Sequence, residues 1–287
     1  MQAVLMDILI DALSETLSLF PYLFLTYLLM EYLEHKMTRR SMIYIRRAKQ
    51  YGSVVGSFLG LVPQCGFSIA AANLYATGVI TLGALIAVFL STSDEMVPLL
   101  ISGGVGGIFI AKVLSMKLTF ALLAGVLIDA FLPDKFVKRK NDPDIEAFCK
   151  REKCKCDNKE NIFKSAFNHT EKIILVIFFF SLVIDFAFKF GGQETVQQAL
   201  VHMPLLSKFI AAGIGLIPSC YPSVLLTQLY LDHVISAGAM IAGTLSNAGL
   251  GFLVLYKVNA NQQENLRILG LMYALGVTFG IISEFLF

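Results

Sequence analysis

Shifted by 155 positions, the chain falls into register with itself without a gap. "GLVPQCGFS", beginning at Gly60, meets "GLIPSCYPS", beginning at Gly215. Further on, Leu74-Tyr75 meets Leu229-Tyr230, Gly83 meets Gly238, Ser91 meets Ser246, Gly125 meets Gly280 and Asp129 meets Glu284. Chance does not hold one offset over about 70 residues, so the chain is a duplication: a first repeat over 1–133, a linker over 134–168 and a second repeat over 169–287.

What the repeats are made of decides where they fold. Hydrophobic residues are 56% of the 287, and charged residues only 15%, against about 25% in a soluble protein. Long apolar runs such as 173–184 (IILVIFFFSLVI) mark a multi-pass all-α membrane protein. A duplicated membrane protein points to a transporter with its substrate site between the halves. No basic n-region of a removable signal peptide stands at the start, where Asp7 and Asp11 precede any Lys or Arg.

Charge then orients the halves. Residues 36–50 carry six Lys/Arg and no acid, and the loop 134–168 carries ten Lys/Arg. Both belong on the cytoplasmic side, whereas 1–14 and 190–207, which have no Lys or Arg, belong outside. A first span over 12–35 then runs inward and its counterpart over 170–189 runs outward, which predicts inverted repeats with both termini outside. Residues 52–77 are apolar but broken at Pro63 and Gly66 into arms of about 11 residues. Each arm makes roughly 16 Å of helix, half a bilayer core of about 30 Å. Were 52–77 to cross, spans 79–101 and 104–132 would carry the two basic loops to opposite sides. A re-entrant hairpin keeps both inside, with 205–232 as its match. The expected architecture is an inverted-repeat secondary transporter, each repeat having three spans and one re-entrant helical hairpin. Lys112 and Lys117 dissent, since this topology puts them toward the outer half of a span.

Irregular backbone inside a membrane must be buried in protein or line a cavity. The tips Pro63-Gln64-Cys65 and Pro218-Ser219-Cys220 are therefore expected to meet at the midplane. Each tip starts a half-helix, whose unpaired N–H groups and dipole favour an anion or polar solute. Gln64, Ser68, Ser219 and Ser223 add polar contacts, and Cys65 and Cys220 add soft ligands for thiophilic metals or trivalent arsenic. Taken singly, each cysteine is more ordinarily a small buried hydrophobe. The following spans carry Ser91-Thr92-Ser93-Asp94-Glu95 and Thr244-Leu245-Ser246-Asn247. Ser91, Ser246 and Asn247 join the substrate candidates, and Asp94 and Glu95 are candidates for cation binding or proton coupling. Asp129 and Glu284 sit near span ends and weigh less, and matched Lys112 and Arg267 suit structural salt bridges. Cys149, Cys154 and Cys156 lie in the linker as FCKREKCKC, a weak soft-metal signal without the paired C-x2-C spacing of a zinc site.

No phosphate-cradling Walker sequence and no readable Ser/His/Asp context occurs, so neither an enzyme nor a cofactor is expected. No nucleic-acid module is present either, and the basic runs are topology signals.

Three stretches carry a resemblance: "LFPYLFLTYLLMEYLEHK" (19–36), "VPQCGFSIAAANLYATGVITLGALIAVFLSTSDEMVPLLIS" (62–102) and "LIPSCYPSVLLTQLYLDHVISAGAMIAGTLSNAG" (216–249). They resemble the ten-transmembrane heavy-metal exporter family, whose members carry names such as arsenic efflux protein and manganese transporter. The resemblance implies a multi-pass efflux permease of a bacterial inner membrane, its ten segments matching six spans and four half-helices. The chain is more distantly similar to the arsenical permeases, which often pair two cysteines in one motif; here each tip has one. The expected partners are a small inorganic or organometalloid solute and the lipid bilayer, and a homodimer is compatible with the reading. Two alternatives stay open: an exporter of phosphate or another oxyanion using the helix N-termini, and a membrane subunit that binds a ligand without moving it. Manganese prefers oxygen and would use Asp94, Glu95, Asn247 and serines instead of the tip sulfurs.

Overall fold

The computed structural model describes residues 51–61, 65–93, 96–131, 206–259 and 261–287, with scattered helical positions between 6 and 28 and between 167 and 186. Pro63, Gln64, Asp94, Glu95, Cys149, Cys154 and Cys156 lie outside the described residues, as do most of the linker and of the spans 12–35 and 170–189. The first-half helices are α1 (Gly52–Gly60), α2 (Cys65–Ala76), α3 (Leu82–Ser91), α4 (Met96–Ser102) and α5 (Gly107–Phe131). Those of the second half are α6 (Leu206–Gly215), α7 (Tyr221–Leu231), α8 (Ala237–Ser246), α9 (Leu250–Val258) and α10 (Gln262–Glu284). Their bounds repeat at the 155-residue spacing to within a residue or two, so both copies of the sequence break their helices at the same places.

Local chemistry explains the breaks. Thr81 and its counterpart Ser236 are N-caps, accepting from Ala84 N at 3.1 Å and Ala239 N at 3.3 Å. The stretch between α6 and α7 holds Pro218, which lacks an N–H for helix pairing. Gly66, read as part of the first break, lies inside α2, and the interruption there precedes Cys65.

The span expected over 79–101 is not one helix. The backbone leaves α3 at Thr92 (φ −54°, ψ 128°) and resumes at Met96. In the second half it leaves α8 at Asn247, whose Oδ1 accepts from Gly249 N at 2.7 Å, and Gly249 takes a positive φ of 53° that suits glycine. Short polar side chains that bond nearby main chain compete with the helical ladder, and the runs STS and SNAG place several such residues together.

Among the described residues, four stretches are long and apolar enough to cross a membrane: Leu82–Ser102, Gly107–Phe131, Ala237–Val258 and Gln262–Glu284. The two broken ones are mostly enclosed by protein, whereas α5 and α10 leave most of their surface uncovered. Exposed Ile108, Leu123, Phe131 and Leu266 on these outer helices suit contact with lipid. The chain is an all-helical, multi-pass membrane protein.

Small residues let the inner and outer helices touch. A Cβ added to Gly83 on α3 would collide with the Gly125 carbonyl and the Asp129 carboxyl of α5, and one on Gly238 would collide with Glu284 and, at 2.8 Å, the Gly280 carbonyl of α10. Such close approach is how membrane helices gain packing without a hydrophobic driving force.

Contacts across the two halves recur with the halves exchanged. α2 packs on α9, and α7 packs on α4. Tyr75 of α2 donates to the Glu264 carboxylate of α10, while Tyr230 of α7 stacks on Phe109 of α5 at 5.5 Å between ring centroids. Positions 75 and 230 are equivalent, and so are 109 and 264. Moving along α5 from Phe109 to Phe120, the ring partner moves back from Phe287 to Phe279. α5 and α10 therefore run antiparallel.

Candidate functional site

A cysteine stands at the start of the helix that follows each proline break. Cys65 is the first residue of α2, and Cys220 is the N-cap of α7, buried at 8% exposure, with no side-chain capping bond. Pro222 occupies the first turn of α7, where its missing N–H costs nothing. Cys220 thus stands at the positive end of an 11-residue helix.

Beside it, Ser219 is 1% exposed and its Oγ has no hydrogen-bond partner among the described residues. A buried hydroxyl without a partner costs on the order of 1–3 kcal/mol, and such groups mark strain or an absent ligand. Ser223 (5% exposed) follows one turn on, and its carbonyl accepts from Thr227 Oγ1 at 2.7 Å. In the first half, Ser68 is fully buried where α2 crosses α9: a Cβ on Gly251 would lie 2.8 Å from it. The equivalent helices α2 and α7 are thus each seated on the other half, α2 on α9 and α7 on α4.

Ser91 and Ser246 are placed differently. Their hydroxyls donate back to Ala87 O at 2.8 Å and Ala242 O at 3.0 Å within their own helices. Both side chains also fill the space that a Cβ on a facing glycine would need, Gly60 for Ser91 and Gly276 for Ser246. They lie in helix–helix contacts. Asn247 is 7% exposed and shapes the break after α8 through its bond to Gly249 N.

The span-end acids have a clear structural task. Asp129 accepts from Ser53 Oγ, from Thr81 Oγ1 at 2.9 Å and from Gly83 N at 2.9 Å. At the equivalent place Glu284 accepts from Ser236 Oγ at 2.7 Å and Gly238 N at 3.1 Å, and pairs with Lys208 at 3.5 Å. Each ties the start of an inner helix to the end of an outer one. Lys112 Nζ donates to the Leu286 carbonyl at 2.7 Å and sits 4.4 Å from the Phe287 ring centroid.

Lys117, which the expected topology accommodates poorly, has its side chain inside the protein. It is fully buried, and Nζ donates to the carbonyls of Thr92 at 2.5 Å and Thr244 at 3.2 Å. It therefore joins the breaks of both halves. The signal was present, because a lysine within an apolar run marks an inward-facing group. Among the described residues, no three His, Cys, Asp or Glu side chains gather as a metal site.

Broken helices packed across two homologous halves, with cysteine and serine at the interruptions, are an arrangement that secondary transporters use. The chain matches the family described as "Putative, 10TM heavy-metal exporter" over residues 4–199, about two thirds of its length, and it belongs to that family. The family is one of transporters by that description, not of enzymes. No curated protein and no solved structure matches.

Proposed function

We propose that the chain is a secondary-active exporter of a metal or metalloid ion, with its substrate held at the midplane between the tips Pro63-Gln64-Cys65 and Pro218-Ser219-Cys220. The halves 1–133 and 169–287 are read as inverted repeats joined by a cytoplasmic linker in a bacterial inner membrane. Antiparallel packing of the equivalent helices α5 and α10 supports the inversion. Helix length supports the hairpins: the nine residues of α1 make about 14 Å of helix, half of a bilayer core.

One observation carries the site: the buried Ser219 hydroxyl beside Cys220 at the start of α7, which has no hydrogen-bond partner among the described residues. A solute there would meet a hydroxyl, a sulfur and the positive end of a helix. Cys65 supplies the second sulfur, and Ser68 and Ser223 the flanking hydroxyls. Asp94 and Glu95 couple the cycle to protons or hold a cation.

The same helix start favours a second reading, in which the solute is an oxyanion and the cysteines only pack. Reconstitution into liposomes separates the readings. Flux of trivalent arsenic or a thiophilic metal that falls at least tenfold in Cys65→Ser and in Cys220→Ser supports thiol contact. Phosphate or arsenate flux that is unchanged in both variants moves the assignment to the oxyanion. Binding without flux of any solute leaves a ligand-binding subunit.

A further inference from the structure

The two halves share a scaffold but differ where a helix of one half crosses the other. At the crossing of α2 and α9, Gly251 brings main chain against main chain: an added Cβ would lie 2.8 Å from the Ser68 backbone. Small-residue contacts of this kind interlock membrane helices. At the place equivalent to Gly251, α4 has Met96, fully buried, a long unbranched side chain that repacks readily. Tyr75 of α2 donates to the Glu264 carboxylate of α10, a directional bond to a charged group. Its equivalent, Tyr230 of α7, meets Phe109 of α5 through rings 9° from parallel, a contact with no donor–acceptor axis to fix it.

The connections to the outer helices differ in the same sense. After α9, Asn259 Nδ2 donates to Asn265 Oδ1 at 2.8 Å, and Asn261 caps α10. The equivalent run after α4 is Gly103-Gly104-Val105-Gly106-Gly107. Gly104 has a positive φ of 72°, and Gly104, Gly106 and Gly107 have open space where a side chain would stand. Glycines so placed leave the main chain its full freedom. Gly103 instead packs: an added Cβ would lie 2.8 Å from the Leu231 methyls of α7, so α4 and α7 fit closely to each other.

We propose that the halves are unequal in motion: α4 and α7 form a moving gate, hinged at 104–107 and carrying Cys220, while α2 and α9, locked by Gly251 and the Tyr75–Glu264 bond, form a fixed wall that begins at Cys65. The consequence for transport rests on the exporter reading above; the asymmetry does not. Tyr75 and Glu264 are here positioning residues, holding the helix that starts at Cys65.

Two pairs of equivalent, exposed positions test it by double electron–electron resonance in nanodiscs. One pair is Ile101→Cys with Leu123→Cys, across α4 and α5; the other is Tyr256→Cys with Thr278→Cys, across α9 and α10. Each is spin-labelled in a chain whose own five cysteines are replaced by serine. The first pair is expected to give a broad or two-peaked distance distribution, and the second one narrow peak that Tyr75→Phe broadens. A first pair as narrow as the second overturns the proposal, and so does a second pair that Tyr75→Phe leaves unchanged. With the native cysteines in place, Gly106→Ala/Gly107→Ala reads the hinge separately. Both positions have open space and neither has a positive φ, so the melting midpoint is expected not to fall. Flux in liposomes, of trivalent arsenic or of phosphate, whichever the wild type moves, is expected to fall about tenfold. Undiminished flux overturns the hinge. Unequal distance distributions in a protein whose wild type moves neither solute preserve the asymmetry and remove the exporter reading.

Discussion

Asp129→Ala tests whether the span-end acids hold helices together or take part in transport. Asp129 is half-buried and accepts from Ser53 Oγ, Thr81 Oγ1 and Gly83 N. Bonds to a carboxylate contribute about 1.5–3 kcal/mol when well buried, and nearer 1 kcal/mol where water competes. The Gly83 N–H is one of the donors that the first turn of α3 cannot pair internally, so the alanine leaves it without an acceptor. Three bonds at the lower figure give a loss of about 3 kcal/mol, somewhat over a hundredfold in the unfolding equilibrium. Asp129→Asn keeps an oxygen for Gly83 N and is expected to lose about 1 kcal/mol. Glu284→Ala is expected to cost about 2 kcal/mol, because Glu284 is 39% exposed and its pair with Lys208 counts for little in solvent. Unfolding in mixed micelles by increasing SDS measures each, read by circular dichroism and tyrosine emission since the chain has no tryptophan. The substrate concentration for half-maximal flux is expected to stay as in wild type. An Asp129→Ala protein within about 0.5 kcal/mol of wild type that has lost transport would refute the capping role.

Three further outcomes follow from the packing. Tyr75→Phe removes the buried bond to Glu264 and is expected to cost about 1.5–3 kcal/mol in the same titration. Ser219→Ala removes a hydroxyl that has no partner among the described residues, so stability is expected to change by less than about 1 kcal/mol while substrate affinity, measured by equilibrium binding, falls several-fold. Gly280→Val places side-chain atoms against Ala242 and the Gly238 carbonyl and is expected to destabilise by about 1–3 kcal/mol, seen as a lower midpoint in a detergent melt.

Much of this architecture is legible before any coordinates. The offset of 155 predicts where helices end in the second half from where they end in the first, and the observed bounds follow it. Pro63 and Pro218 announce interruptions because proline cannot donate to a helix, and a cysteine begins or caps the helix after each. The second interruption in each half was harder to see. Residues 79–101 are apolar enough to read as one span, and only the clustered side chains of Ser91 to Ser93 hint that the ladder is cut. Lys117 shows a related limit: hydropathy places a residue along the membrane normal but does not say what it faces. Its partners include main-chain carbonyls 25 and 127 residues away, and carbonyls have no letter in a sequence. Asp129 and Glu284 likewise look like interfacial acids until the glycine backbones of Gly83 and Gly238 are seen beside them.

The account stands on the two hairpin tips sharing one site, and a cross-linking measurement reaches that directly. With Cys149, Cys154 and Cys156 replaced by serine, Cys65 and Cys220 are the remaining thiols of the chain. A short bifunctional thiol reagent applied to the reconstituted protein is expected to join them within one molecule, to stop flux, and to be slowed by bound substrate. Modification of the two cysteines independently, with no intramolecular link and with undiminished transport, would contradict it.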